Sequence, residues 1–354
     1  MLRIAQIAPL FEAVPPKLYG GTERVVSNLT EELVAMGHDV TLFASGDSVT
    51  SAKLDAPWPR ALRLDPDIRD WVATYALLVE HVRRRSHEFD VLHFHIDYFP
   101  NAVFSRQPTP FLTTVHGRLD LPEFGAVYRT FPEVPMVSIS DNQRTPLPEL
   151  NWAATVYHGI PATLLTPVPV TAEEPYFAFL GRISPEKGIE RAIRIAAACG
   201  VKLKVAAKVD AADRVYFDDK IVPLLATADV EFIGEINDVR KPAFLSGAKA
   251  LLFAIDWPEP FGLVMIEAMA CGCPVIAFRH GSVPEVMTDG VTGFIVESVE
   301  EAIAAIGRLN TINRAGVRRH FEQHFTARRM AEDYVAVYRR LMEASRPQLH
   351  AVGD

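Results

Sequence analysis

Two glutamates eight positions apart in the second half of the sequence have the setting of a ligand-binding pair. Glu259 and Glu267 belong to the segment EPFGLVMIEAMACGCPVIA, whose pattern predicts a loop, a helix, a glycine turn and a strand. Glu259 follows a predicted strand at 251–255, and open α/β sheets bind ligands at the carboxyl ends of their strands. The predicted first helical turn, 262–264, offers free N–H groups and a positive dipole end, which suit a diphosphate. Glu267 could then reach ribose hydroxyls while Glu259 contacts a sugar.

Two cations in another segment point to the same kind of ligand. Arg182 and Lys187 stand five positions apart in FLGRISPEKG, on a predicted turn between a strand and a helix. A planar guanidinium and a point-charge ammonium at this spacing can both contact one pyrophosphate. They would offset the negative charge that develops on a departing nucleotide, so they predict electrostatic catalysis of a transfer reaction.

The elements that must position these residues alternate between strands and helices. Strands predicted at 3–8 and 40–44 flank a helix in which Val25, Leu29 and Leu33 recur at helical spacing. Such a βαβ unit implies parallel strands and a right-handed crossover. The other predicted strands are 91–94, 111–115, 136–140, 177–180, 203–206, 231–233, 251–255 and 274–278, and the other predicted helices are 71–85, 188–199, 240–248 and 326–344.

The fold class follows from this alternation. A chain of 354 residues favours two domains, and Pro161, Pro167 and Pro169 mark the predicted linker. Two consecutive strand–helix series predict an α/β protein with two Rossmann-like, doubly wound domains. The predicted domains are 1–168 and 169–325, followed at 326–354 by an amphipathic helix and a tail.

The composition excludes several classes of protein. Hydrophobic residues make up 49% of the chain and charged residues 23%, which is typical of a globular protein. The formal net charge is −8 and neither half is basic, so no nucleic-acid partner is expected. The sequence has neither a signal-peptide pattern at its start nor an apolar stretch of roughly 18 residues that could cross a membrane. Cys199, Cys271 and Cys273 form no disulfide or metal-binding pattern, so we expect a cytoplasmic protein, free or peripheral to the inner membrane.

The two motifs together resemble the donor site of a known family. The E-x7-E spacing, the phenylalanine–glycine step, the helix of small residues and the G-C-P-V turn match the signature of retaining GT-B glycosyltransferases, and the whole chain is similar to members of glycosyltransferase family 4. The resemblance implies two domains facing a central cleft, a nucleotide-sugar donor held by the second domain, and a last helix that crosses back to the first. It implies donor contacts from Gly20, Gly21, Arg182, Lys187, Glu259, Phe261, Gly262, Leu263, Val264 and Glu267.

The resemblance also gives roles to residues of the first half. Gly20 and Gly21 precede a predicted helix with Thr22 as its N-cap, and a glycine pair lets the backbone approach a phosphate or a sugar. His116, at the end of a predicted strand, resembles the family histidine beside the donor sugar. The implied catalytic residues are His116, Glu259, Arg182 and Lys187.

An acceptor pocket is predicted after a neighbouring strand. His95, Asp97 and Tyr98 follow the strand at 91–94 and could line this pocket. His93 and His95 share one strand face, but no third ligand has suitable spacing for a metal ion. The D-x-D spelling at 65–67 has the setting of a loop, so no metal site is predicted.

The domain junction departs from the family pattern. The family writes V-x-N-G-[VI]-D there, and this chain has VYHGIP at 156–161. The missing asparagine and aspartate weaken any transfer of family roles to the linker and to the acceptor side.

The predicted reaction is metal-independent transfer, with retention, of a sugar from a nucleoside-diphosphate donor to a hydroxyl acceptor. UDP-glucose is the expected donor because of its frequency in the family, and no cofactor is expected. The hydroxyl acceptor, which the residues leave open, is a small molecule, a lipid-linked molecule or a polysaccharide, and the oligomeric state is open too. A UDP-sugar 2-epimerase of the same architecture and a non-catalytic nucleotide-sugar-binding protein are the alternatives. A dehydrogenase is disfavoured, because no strand is followed by G-x-G-x-x-G.

Overall fold

The chain divides into two compact units. The computed structural model describes residues 1–17, 20–170 and 174–345. Unit one consists of Met1–Ile139, Pro146–Val156 and the chain from Arg328 onward, and unit two of Ser140–Thr145 and Tyr157–Ala327. These contact-defined units begin and end at other residues than the predicted functional domains 1–168, 169–325 and 326–354, which stay a prediction. The predicted tail after residue 345 lies outside the described residues.

Most strands are followed along the chain by a helix, as the sequence predicts. The predicted helix at 71–85 and the strand at 91–94 are confirmed with those bounds. The strands are β1 Arg3–Ile7, β2 Asp39–Ser45, β3 Lys53–Trp58, β4 Val91–Phe94, β5 Phe111–Thr114, β6 Met136–Ser138, β7 Trp152–Thr155, β8 Tyr176–Arg182, β9 Lys202–Lys208, β10 Val230–Phe232, β11 Leu251–Phe253, β12 Val275–Phe278 and β13 Gly293–Val296.

The helices vary from single turns to a long C-terminal helix. Among the described residues, none is long and apolar enough to cross a membrane. The helices are α1 Gly21–Ala35, α2 Trp71–Arg85, α3 Asn101–Phe104, α4 Pro122–Arg129, α5 Ile189–Ala198, α6 Arg214–Tyr216, α7 Val222–Thr227, α8 Lys241–Gly247, α9 Leu263–Ala270, α10 Val283–Val286, α11 Val299–Ile306, α12 Arg314–His324 and α13 Ala327–Ala344.

Unit one contains a seven-stranded sheet in the order β3-β2-β1-β4-β5-β6-β7, with every pair parallel. Alternate side chains of β2 belong to two apolar clusters, Phe43 to one and Leu42 and Ala44 to the other. Since successive side chains of a strand point to opposite faces, the sheet has a core on each face. The strand order reverses direction between β1 and β4, as in a doubly wound sheet.

Unit two contains a six-stranded parallel sheet in the order β10-β9-β8-β11-β12-β13. Its order reverses between β8 and β11, so these adjacent strands flank the switch point at which such sheets bind ligands. Arg182 ends β8, and the loop that carries Glu259 follows β11. The predicted α/β class with two Rossmann-like sheets is confirmed.

The start of α1 differs from the prediction. The helix begins at Gly21 with Gly20 as its N-cap, so the prediction that Thr22 is the N-cap is wrong. A Cβ atom on Gly20 would lie 2.7 Å from Pro16 Cβ. The close approach of Pro16 therefore requires glycine at the position where the helix starts.

Candidate functional site

Lys187 and Glu259, predicted from separate motifs, are in contact at the switch point of unit two. The Lys187 ammonium forms an ion pair with Glu259 Oε2. Trp257 Nε1 donates a hydrogen bond of 2.9 Å to the same oxygen, and Lys187 Nζ lies 5.0 Å from the centroid of the Trp257 ring. The ammonium is therefore held by a carboxylate and, within the usual cation–π distance, by an aromatic ring. Glu259 is only 9% exposed. Its carboxylate is held in place by Lys187 and by the Trp257 N–H.

Two glycines allow the backbone around this pair to pack closely. Gly188, with φ +71°, follows Lys187, and a Cβ atom there would lie 1.8 Å from the carbonyl oxygen of Ala254. Gly281, with φ +56°, packs on the Glu259 backbone, where a Cβ atom would lie 2.3 Å from both its nitrogen and its oxygen. The neighbouring Ser282 N–H donates to the Glu259 carbonyl at 3.0 Å. The positions of Lys187 and Glu259 thus depend on close backbone contacts as well as on their own ion pair.

Arg182 lies among carboxylates at the end of β8. Its Nη2 donates to Glu186 Oε1 at 2.6 Å, and its guanidinium lies 3.8 Å from Asp210 and 3.7 Å from Asp213. Burial opposes ionisation of Glu186, but hydrogen bonds from its backbone N–H, Ser184 and Arg182 outweigh it and lower the pKa of this carboxyl. Glu186 therefore stays ionised and orients the guanidinium.

Glu267 is held by a partner that the sequence analysis did not identify. Lys241, at the start of α8, places Nζ 2.6 Å from Glu267 Oε1 and 3.2 Å from Asp238 Oδ1. Glu267 is 4% exposed and Lys241 8% exposed, so the pair is almost fully removed from water. In the sequence, Lys241 stands in KPAFLSG and resembles an ordinary surface lysine. Only the packing of α8 reveals its role.

α9 begins at Leu263, one residue after the start of the predicted first turn at 262–264. Gly262 is the N-cap with φ +76°, and a Cβ atom there would lie 2.9 Å from the Phe253 ring. Leu263 and Val264 are partly exposed, so their N–H groups start a helix near the surface of unit two, whereas Phe261 is buried. His158, which replaces the asparagine of the family pattern, packs its ring 4.9 Å from that of Phe261. His158, where this chain departs from the family pattern, thus packs against the loop that precedes α9.

The candidate residues predicted in the first half of the chain lie in unit one, and three of them are histidine or aspartate side chains affected by burial. His116 is half-buried, and desolvation lowers its pKa to about 3, so the imidazole is neutral at physiological pH. Asp97 has a left-handed backbone with φ +50°, and desolvation raises its pKa to about 6. Tyr98 stacks on Phe99 with ring centroids 5.2 Å apart. His95 is 3% exposed and hydrogen-bonds through both ring nitrogens. The acceptor contacts assigned to His95, Asp97 and Tyr98 stay predictions.

No three His, Cys, Asp or Glu residues of the described chain form a group that could hold a metal ion. His93 and His95 lie 4.0 Å apart between ring centroids, but each bonds to other protein side chains.

Comparisons with known proteins identify the class. Residues 167–320 match the family model described as glycosyl transferases group 1, and residues 19–153 match glycosyltransferase family 4. The two matches cover all the candidate residues and most of both sheets, with β1 and the end of β7 outside them. The chain belongs to the family 4 type of GT-B glycosyltransferases, which are enzymes that transfer hexoses.

Relatives and solved structures agree with this assignment. The chain is 24% identical over 338 residues to an uncharacterised glycosyltransferase of Methanocaldococcus jannaschii, covering 82% of this chain and 85% of that one. It is similar, at a TM-score of 0.74 and 25% identity, to AviGT4, a glycosyltransferase involved in avilamycin A biosynthesis, with 97% and 98% of the two chains covered. It shares the fold of Anabaena Alr3699/HepE in complex with UDP and glucose, at a TM-score of 0.72 and 18% identity, over 95% and 99% of the chains.

Proposed function

We propose that this glycosyltransferase moves glucose from UDP-glucose to a hydroxyl acceptor, without a metal ion and with retention at the anomeric carbon. The observation that carries the proposal is the contact between Lys187 and Glu259 at the switch point of unit two. The fold neighbour with UDP and glucose supports the choice of donor.

The cations would bind the donor diphosphate. Arg182 and Lys187 each bind a carboxylate through the charged end of the side chain. The same charged ends could bind the anionic oxygens of a diphosphate. A diphosphate bound there would receive charge-assisted hydrogen bonds, each stabilising it by roughly 1.5–3 kcal/mol. These bonds become stronger as the C1–O bond breaks and negative charge collects on the leaving phosphate. Two protein cations and the N-terminus of α9 would thus supply the charge that a metal ion provides in other transferases.

The acids would position the rest of the donor. Glu267, oriented by Lys241, would accept hydrogen bonds from ribose hydroxyls. Glu259, oriented by Trp257 and Lys187, would accept them from sugar hydroxyls. In the retaining reaction, the acceptor oxygen bonds to C1 on the face that the phosphate leaves, and the acceptor proton passes to the leaving phosphate oxygen. The roles of Gly20, Gly21 and His116 toward the donor stay predictions.

Donor profiling tests this proposal. Nucleotide release is measured with UDP-, GDP- and ADP-sugars against a panel of hydroxyl acceptors, before and after exhaustive chelation, and the anomeric configuration of the product is read by NMR. We expect UDP-glucose to be preferred, chelation to have no effect, and the product to keep the α configuration of the donor. Turnover that is lost on chelation and restored by a divalent metal would overturn the metal-independent mechanism.

Substitutions test the site itself. Lys187→Ala and Glu267→Ala should each lower donor turnover by at least about a hundredfold, which corresponds to roughly 3 kcal/mol. Lys202→Ala is a matched control, because Lys202, at the start of β9, pairs with Glu174 outside the proposed site. Product formed without any acceptor would instead indicate an epimerase, and donor binding without turnover would indicate a binding protein.

A further inference from the structure

A continuous chain of hydrogen bonds crosses the interior of unit one. It starts at His116, where Nε2 lies 2.8 Å from His95 Nδ1, and reaches two tyrosines of α13. Every link measures between 2.7 and 3.0 Å. In order, the side chains are those of His116, His95, Gln6, Tyr338, His93, Thr114 and Tyr334, and we call this chain the polar relay.

The orientation of Gln6 sets the direction of the protons. Gln6 presents its Oε1 to His95 Nε2 at 2.8 Å and donates from its Nε2 to the Tyr338 hydroxyl at 3.0 Å. An amide oxygen only accepts, so His95 must carry its proton on Nε2. His95 is 3% exposed and its ring nitrogens face His116 and Gln6, neither of which carries a negative charge, so burial favours the neutral ring. A neutral imidazole has one donor and one acceptor, so His95 Nδ1 accepts, and His116 Nε2 donates to it. His116 Nδ1 is then an acceptor.

The other half of the polar relay is consistent with this direction. The Tyr338 hydroxyl accepts from Gln6 and donates to His93 Nδ1 at 2.7 Å. His93 Nε2 then donates to Thr114 Oγ1, also at 2.7 Å. Burial lowers the pKa of His93 well below its ordinary value, so this ring is neutral, as the pattern requires.

We propose that His95 is a positioning residue that, through the polar relay, holds His116 as the neutral tautomer with its proton on Nε2. The tautomer is set by residues far away in the sequence, since Tyr338 belongs to α13 and lies 332 positions from Gln6. His95 acts through His116, because both of its ring nitrogens bond to other side chains of the protein.

This tautomer restricts what His116 can bind. A neutral ring whose Nδ1 only accepts will pair with a hydroxyl group, and it offers a phosphate oxygen no proton at that atom. This consequence rests on the proposed function and on the donor role predicted for His116 from the family resemblance: His116 would select a sugar hydroxyl and leave the diphosphate to other residues. The tautomer itself follows from the contacts of His95, Gln6 and Tyr338 described above, and these residues all belong to unit one.

NMR of the ring nitrogens tests the tautomer. In the full chain labelled with ¹⁵N-histidine, the signals of His95 and His116 among the 11 histidines are assigned by single substitutions. We expect a protonated Nε2 and an unprotonated Nδ1 for both residues. A proton on Nδ1 of His116, or a doubly protonated ring at neutral pH, would overturn the proposal.

Two matched substitutions on α13 test whether the polar relay sets it. Tyr338→Phe removes the acceptor of the Gln6 amide N–H, so Gln6 can turn over, and the His116 signals should shift toward a mixture of the two tautomers. Tyr334→Phe removes a hydroxyl beyond Thr114, whose oxygen still accepts from His93, so the His116 signals should stay as in the parent. Unchanged His116 signals in Tyr338→Phe, or equal changes in both variants, would refute the role of the relay.

A kinetic experiment with UDP-glucose tests the consequence. His95→Asn keeps an acceptor oxygen close to the place of Nδ1, whereas His95→Leu removes it. We expect kcat to fall about tenfold or more in His95→Leu with little change in KM, and to be largely retained in His95→Asn. Equal kcat in both variants would overturn the role of His95. A parent protein that turns over no sugar nucleotide would overturn the proposed function, while the spectra would still decide the tautomer.

Discussion

Replacing Lys241 by methionine should lower the local stability of α9, because Glu267 on this helix loses the cation that pairs with it. Lys241 and Glu267 are both nearly inaccessible, with 2.6 Å between Nζ and Oε1. Methionine fills a similar volume but leaves the Glu267 carboxylate buried without its cation. Breaking a buried pair in this way costs roughly 3–5 kcal/mol, because the remaining charge has lost its compensation.

The structure also predicts that the two partners are not equivalent. Glu267→Gln should cost less than Lys241→Met, because Lys241 keeps Asp238 at 3.2 Å and glutamine can still accept a hydrogen bond. Replacing the pair together, with Lys241→Met and Glu267→Leu, should bring stability back to within about 1 kcal/mol of the parent, since the buried Glu267 carboxylate is then removed together with its cation.

Hydrogen exchange followed by mass spectrometry on peptides from α9 measures these free energies locally. A loss of about 3 kcal/mol would raise the opening constant roughly 150-fold. Lys202→Met is the control: it breaks the exposed pair between Lys202, at the start of β9, and Glu174, and should change stability by less than about 1 kcal/mol. Equal exchange in Lys241→Met and the parent would refute the view that this pair holds α9 and Glu267 in place.

Two further predictions concern unit one and the Glu259 loop. Desolvation raises the pKa of the buried Glu23 to about 7, above its ordinary value of 4.5, so the folded chain keeps a proton there that the unfolded chain has lost. The free energy of unfolding of the parent should therefore fall as pH rises from 4.5 to 7. In urea unfolding, Glu23→Gln should be more stable than the parent by about 1–3 kcal/mol at pH 8 but not at pH 4.5. Equal stability of the two proteins at pH 8 would contradict this. Gly281→Ala places a Cβ atom 2.3 Å from the Glu259 backbone at a residue with φ +56°. Donor turnover should therefore fall at least tenfold, and thermal unfolding should show a loss of stability of roughly 1–3 kcal/mol from the strain. Kinetics like those of the parent would show that the position of the Glu259 loop is unimportant for turnover.

Much of the fold can be predicted because the central strands are short apolar runs. The predicted strands at 91–94 and 111–115 are buried in the structure, and their hydrophobicity comes from local sequence. The strands that the sequence analysis omitted include β3 and β7. Their residues are exposed or only partly buried at the sheet edges, so they lack an apolar run that would indicate a strand.

The candidate site was predictable only where chemistry follows from local spacing. Glu259 and Lys187 stand in recognisable segments, and the structure brings them into contact across 72 positions. The partner of Glu267 was not predictable, because Lys241 lies in a segment with no signal of its own. The polar relay was not predictable either, since Gln6 and Tyr338 meet only after α13 has packed on the sheet of unit one. A buried polar network forms between residues that are distant in the sequence, so the spacing of residues along the chain does not predict it.

The most direct test of the site is the affinity of UDP, measured by isothermal titration calorimetry, for the parent and for Arg182→Ala, Lys187→Ala and Lys202→Ala. If one diphosphate lies between Arg182 and Lys187, each of the first two variants should bind UDP roughly 10- to 150-fold more weakly, as expected for the loss of charged hydrogen bonds. Lys202→Ala should bind as the parent does. UDP binding of equal strength in all four proteins would contradict the assignment.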